Sequence, residues 1–152
     1  MDDFDLSHSP FSPLLEDRTL GIVLAIFAFI GTAAAQDIET AHMLPSRRPE
    51  AFAAYQAVLP KGFESDPWVR ALDGVSEPIR IVRRDGKDYA IGFSCKPHDC
   101  GENALAFLAA LDGSRAVVAV KSDDRTGGRV EVYGRTTPAE RKLLQELLAI
   151  PR

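Results

Sequence analysis

Apolar and polar positions along this chain follow three different rhythms. Residues 20–35 (LGIVLAIFAFIGTAAA) form an unbroken apolar run without a charge, ending in Ala33, Ala34 and Ala35 before the chain turns polar at Gln36 and Asp37. A helical spacing comes next: in residues 49–59, Phe52, Tyr55 and Leu59 fall at i, i+3 and i+7 and predict one apolar face. Pro49 suits the first position of that helix, where a missing N–H forfeits no bond. Pro60 and Gly62 end it, and residues 67–72 predict a further short helical turn halted at Asp73 and Gly74. The third rhythm is the alternation of strands.

Residues 79–83 are short and rich in β-branched side chains, and Asp85-Gly86 marks a tight turn after them. Residues 89–95 alternate, with Tyr89, Ile91, Phe93 and Cys95 on one face. The two segments predict a hairpin that carries Cys95 at its far end. Residues 104–111 and 116–120 predict a second hairpin, residues 122–128 a loop, and residues 129–133 an exposed-face strand. The helical rhythm then returns. Thr137, Pro138 and Glu140 stand at N-cap, N1 and N3, a capping box, and Leu143, Leu144, Leu147 and Leu148 form a stripe suited to packing on a sheet. The expectation is an α+β domain: an antiparallel sheet of about five strands with helices packed on it.

The apolar run decides where this domain works. Sixteen residues of helix reach only ~24 Å, short of the ~30 Å hydrocarbon core of a bilayer. With its small-residue end it fits a cleaved secretion signal, with cleavage after Ala35 and Gln36 as the first mature residue. The leader is unusual in being acidic: Asp2, Asp3, Asp5, Glu16 and Asp17 face Arg18 alone. A start site placed too far upstream would account for that. Residues 1–35 are therefore read as signal peptide and residues 36–152 as the one functional domain.

Charge changes accordingly. The whole chain carries 22 acids and 18 bases, a net charge of −4; without the leader's five acids and one base the two balance. A neutral domain gives no global reason to expect nucleic acid or anionic membrane as a partner. No paired-carboxylate, nucleophile–base or phosphate-loop pattern is present, which agrees with a protein that is not an enzyme.

The chain's chemistry concentrates in Cys95-Lys96-Pro97-His98-Asp99-Cys100, which holds both cysteines. In an exported protein such a pair is expected to be a disulfide. The ring would enclose a cation, a rigid proline, an imidazole and a carboxylate, none of which favours a core. A covalent clamp on so polar a loop points to a loop whose shape matters for contact with something else. Two other readings use the same residues. Cys95, His98 and Cys100 could ligate a metal, but zinc wants a fourth ligand and the mature chain offers only His42 as another histidine. A redox-active disulfide favours C-x-x-C spacing beside a helix start, which this is not. Elsewhere, Trp68 after Pro67 suits a core anchor, Arg80, Arg83 and Arg84 with Asp85 and Asp88 suit a solvated strand edge, and Asp123-Asp124 lacks the spacing of a calcium loop.

The six residues from Cys95 to Cys100 (CKPHDC) resemble the signature loop of the Ivy family, inhibitors of vertebrate lysozyme found in Gram-negative bacteria. The likeness continues through Leu59-Pro60, Pro67-Trp68-Val69, Ser76-Glu77-Pro78, Gly86 and Tyr89, in the family's order, and covers most of residues 49–124. The resemblance implies a periplasmic inhibitor without a cofactor. Its loop would enter the active-site cleft of a C-type lysozyme and bring His98 to the two catalytic carboxyl groups, with Lys96, Pro97 and Asp99 as the rest of the binding loop. It also brings in the cell's own lytic transglycosylases as a second partner class and leaves the oligomeric state open, a homodimer included. Asp99 could orient the imidazole of His98 through its second nitrogen, provided that nitrogen is not already on the enzyme.

Overall fold

Two short turns of helix begin the computed structural model, which describes residues 38–150: a 3-10 turn at Ala41–Met43 and α1 at Leu44–Arg47. Then come α2 (Pro49–Val58), a 3-10 turn at Lys61–Phe63, α3 (Pro67–Arg70), β1 (Val75–Ser76), β2 (Arg80–Arg84), β3 (Lys87–Cys95), β4 (Ala104–Ala110) and β5 (Ala116–Lys121). The last elements are α4 (Asp123–Thr126), β6 (Val130–Tyr133) and α5 (Pro138–Ala149). The expected leader, with Ala35 and Gln36, lies outside the described residues.

All strands pair antiparallel in one sheet of six, in the order β3-β4-β5-β6, with β1 and β2 both on the outer edge of β3. That edge is broken between its two pieces. Pro78 cannot donate to a ladder, and Thr40 bridges to it while the N–H of Ile79 donates to the carbonyl of Glu39 at 2.8 Å. The α+β expectation holds, with one strand more than the sequence pattern predicts. β1 has two residues, too few to show an alternation.

The sheet is covered on both faces, so β4 is buried at every position and reads as a continuous apolar run rather than an alternation. On one side Ala90, Leu105, Phe107, Ala109, Val118 and Val120 meet Ala51, Ala54, Tyr55, Leu59, Trp68 and Val69 from the helices before the sheet. On the other side Tyr89, Ile91, Ala106, Leu108, Val117 and Ala119 meet α5 through Leu144, with Leu143, Leu147 and Leu148 partly buried beside it. The ring of Phe107 stands edge-on to that of Tyr55, centroids 5.5 Å apart. It also crosses the backbone at Gly92, where a Cβ would lie 2.4 Å from the ring. The Tyr55 hydroxyl donates to the carbonyl of Val69, tying α2 to α3. Trp68 is a core residue, as its position suggested. The solvated-edge reading of β2 also fits, with Arg83 and Asp88 3.8 Å apart at the surface.

Helix α5 begins as its sequence predicts. Thr137 Oγ1 accepts from the N–H of Glu140 at 3.2 Å, and Glu140 Oε2 accepts from the N–H of Thr137 at 2.9 Å. Arg115 donates to both oxygens of the same carboxylate, at 2.9 and 3.0 Å. This guanidinium, chiefly, holds the Glu140 carboxyl below the usual carboxylate range. Residues 122–128 differ from the expected loop. The carbonyl of Ser122 accepts from the N–H groups of Thr126 and Gly128 at 2.9 and 3.1 Å, and the segment closes into one turn of helix ended by left-handed Gly127. A single turn carries too few residues to show a helical period.

Candidate functional site

The register of β3 and β4 puts Cys95 opposite Ala104, so the loop of interest is the connection between two central strands. Its base is firmly anchored because both strands are buried where they enter and leave the loop. β1 fixes it from the side, pairing Val75 with Cys95. Gly74 comes so close there that a Cβ would lie 2.3 Å from the carbonyl oxygen of Cys95. Glycine is the residue that permits this approach.

Cys95 and Cys100 are disulfide-bonded, with Cα atoms 4.9 Å apart. Cys95 is buried against Phe93 and Ala104, while Cys100 is half-buried beside them. Between them the chain turns once. The N–H of Asp99 donates to the carbonyl of Lys96 at 3.0 Å, Pro97 occupies the second position of the turn, and His98 occupies the third with φ 65°. Proline followed by a positive φ is the signature of a type II turn. Histidine tolerates this backbone region better than bulkier residues do, at a cost of roughly 1–2 kcal/mol.

Pro97 and His98 are exposed; Lys96 and Asp99 are half-buried. The side chains at the two ends of the turn are partly exposed and face each other. The Asp99 carboxylate accepts from Asn103 Nδ2 at 2.7 Å and lies 3.8 Å from Lys96 Nζ. It makes no hydrogen bond to His98, so here it braces the loop through Asn103 rather than orienting the imidazole. Among the described residues the imidazole has no hydrogen-bond or ionic partner, and it crowns the turn with both nitrogens available.

Behind the turn lies a polar network that the sequence reading missed. Asn103 Oδ1 accepts from Ser122 Oγ at 2.7 Å. The main chain of Asn103 also closes the loop, its carbonyl accepting from the N–H of Lys96 at 2.9 Å and its N–H donating to the carbonyl of Asp99 at 3.0 Å. Lys121 Nζ donates to the carbonyl of Gly101 at 2.7 Å and reaches Glu102 at 3.3 Å. Asn103 and Ser122 stand 19 residues apart and meet one step beyond the Ala104–Lys121 pair. The only sequence signal is a polar residue just outside each of two strands, β4 wholly apolar and β5 apolar up to its last residue, Lys121.

Taken together, the turn presents an exposed imidazole on a backbone braced by the disulfide and by Asn103.

Comparison with known proteins relates this chain to one family. A curated protein of Pseudomonas aeruginosa named "Inhibitor of vertebrate lysozyme" is 42% identical over 55 residues, a match that spans 35% of this chain and 35% of that protein. A family model described as inhibitor of vertebrate lysozyme (Ivy) matches residues 51–149, nearly all of the sheet and its covering helices together with the disulfide loop. This chain belongs to the Ivy family.

Proposed function

We propose that this protein is an exported inhibitor of C-type lysozyme that works by filling the enzyme's cleft with the loop from Cys95 to Cys100. The observation that carries the reading is the unpartnered imidazole of His98 at the crest of a braced turn, in a chain whose family takes its name from lysozyme inhibition.

A retaining glycosidase keeps two carboxyl groups about 5 Å apart, one protonated and one ionised. A neutral imidazole answers both, donating from one nitrogen to the ionised group and accepting at the other from the acid. As an imidazolium it pairs with two carboxylates instead. Lys96 adds a positive charge to a surface that faces an acidic cleft. The loop holds its shape through the disulfide, Pro97 and the Asn103 contacts. It therefore loses little conformational entropy on docking, at roughly 0.5–1.5 kcal/mol for each side chain not newly immobilised.

The periplasm is the compartment this reading requires, since the target attacks the wall outside the inner membrane. Lytic transglycosylases of the producing cell, which cleave the same polymer, are the second target class. The test is a lysis assay: exported protein is titrated into C-type lysozyme acting on cell walls. Loss of activity in proportion to added protein, complete near one equivalent, supports the reading. Unchanged lysis at a large excess overturns it.

A further inference from the structure

We infer that Asn103, outside the disulfide ring, is the positioning residue that sets the shape of the recognition loop. The inference rests on the lysozyme-inhibitor reading for what the loop recognises, but not for how it is held. Asn103 is buried, with 3% of its surface exposed, and makes four hydrogen bonds. Three go to the loop: to the N–H of Lys96, the carbonyl of Asp99 and the carboxylate of Asp99. The fourth, from Ser122 Oγ, goes to the body of the domain.

Ser122 is a fixed post. It is 2% exposed, and its N–H and carbonyl are both held by Thr126, at 3.0 Å from Oγ1 and 2.9 Å to the N–H. The one hydroxyl proton of Thr126 lies within reach of the carbonyls of both Ser122 and Arg129. A chain of side-chain bonds therefore runs from α4 through Ser122 and Asn103 to Asp99, next to His98.

The chemistry selects an amide for the middle of this chain. The Asp99 carboxylate only accepts, so the group facing it must donate; the opposite side must accept from a hydroxyl. An amide does both at once, whereas a carboxylate or an ammonium does one. The disulfide fixes the ends of the ring, but the positive φ at His98 lies between them. A strained backbone persists only where its surroundings over-determine it, and here the Asn103–Asp99 bonds supply that restraint.

The test is amide hydrogen exchange on the full exported protein and on Asn103→Ala, with a lysozyme-binding measurement in parallel. Exchange at Lys96 and Asp99 is expected to rise about tenfold or more in the variant, while the paired amides of β3 and β4 keep their protection. Lysozyme dissociation is expected to speed up by about the same factor. In a His98→Ala background the same Asn103→Ala change is expected to alter binding less than about threefold, since the imidazole it positions is gone. Ser122→Ala serves as a second variant, removing the post without touching the loop's main-chain bonds; it should accelerate the same two amides to a smaller degree. Unchanged exchange at Lys96 and Asp99 in Asn103→Ala overturns the inference, as does equal loss of protection throughout β3 and β4. Wild-type protein that fails to bind lysozyme while the exchange pattern holds instead overturns the inhibitor reading.

Discussion

The N–H of Asp99 bonds to the carbonyl of Lys96 at 3.0 Å, and at the crest of this one turn the exposed imidazole of His98 has no hydrogen-bond or ionic partner among the described residues. The ring is exposed and contributes almost nothing to the core; on the proposed function, binding and folding are thereby separated. His98→Ala is expected to weaken lysozyme binding by roughly 2 kcal/mol or more while thermal unfolding stays close to wild type. His98→Gly sharpens the test, because it removes the ring and also suits the left-handed backbone. Its stability should lie within about 1 kcal/mol of wild type, with the same loss of binding. Calorimetry of unfolding and of complex formation reads both.

The disulfide should matter more for binding than for folding. A six-residue ring removes roughly 2 kcal/mol of unfolded-state entropy in the chain model, and the sheet and its two covering layers have their own cores. Alanine is the right replacement, because Cys95 is 1% exposed and a serine hydroxyl would be buried there. Cys95→Ala/Cys100→Ala should remain folded, lose at most about 2 kcal/mol of stability and lose affinity disproportionately as the loop becomes costly to order. Unfolding curves set beside inhibition curves decide it, and a collapsed fold would make the bond a structural staple.

Acid should find the Arg115–Glu140 pair. The Glu140 carboxyl titrates below its usual range, so the stability it contributes is fully present above the unfolded-state value of about 4.3 and is lost as pH falls through the lower, folded value. Glu140→Gln keeps one oxygen able to complete the capping box, but removes the charge and one of the two oxygens that accept from Arg115. The stability difference between wild type and this variant should be largest near pH 7, shrink below about pH 4 and then close. Denaturant unfolding across that range measures it.

Export should leave a chain that begins at Gln36, by cleavage after Ala35. The motivation is the apolar run at residues 20–35 and its Ala33-Ala34-Ala35 end. Intact-mass measurement of the periplasmic fraction checks this. A full-length species held in the inner membrane would show that the run anchors the protein instead.

Much of this fold is legible in the sequence because its local signals agree with its global packing. Pro49 and Pro67 start helices, Asp85-Gly86 turns a hairpin, and Thr137 with Glu140 caps α5. The disulfide loop is visible for the same reason: all its members are adjacent in sequence. Whatever depends on register is hidden. β1 is two residues long and exists only because Cys95 and Ser94 offer it an edge. Residues 89–95 alternate as predicted, yet they are buried on both faces, and only the placement of α2 and α5 on opposite sides of the sheet explains why. Asn103 and Ser122 become partners only after β4 and β5 align. The ring members are therefore readable from the sequence, whereas the residues that hold the ring in shape require the structure.

The central claim is that the loop occupies the enzyme's cleft, and competition tests it most directly. The affinity of the exported protein for a C-type lysozyme is measured by calorimetry with the cleft empty, then with the cleft saturated by an N-acetylglucosamine oligosaccharide. Occupation by the loop predicts that the sugar weakens apparent binding in proportion to its own saturation, and that His98→Ala weakens binding to the empty cleft. Equal affinity for empty and sugar-filled enzyme would place the contact elsewhere and contradict the account.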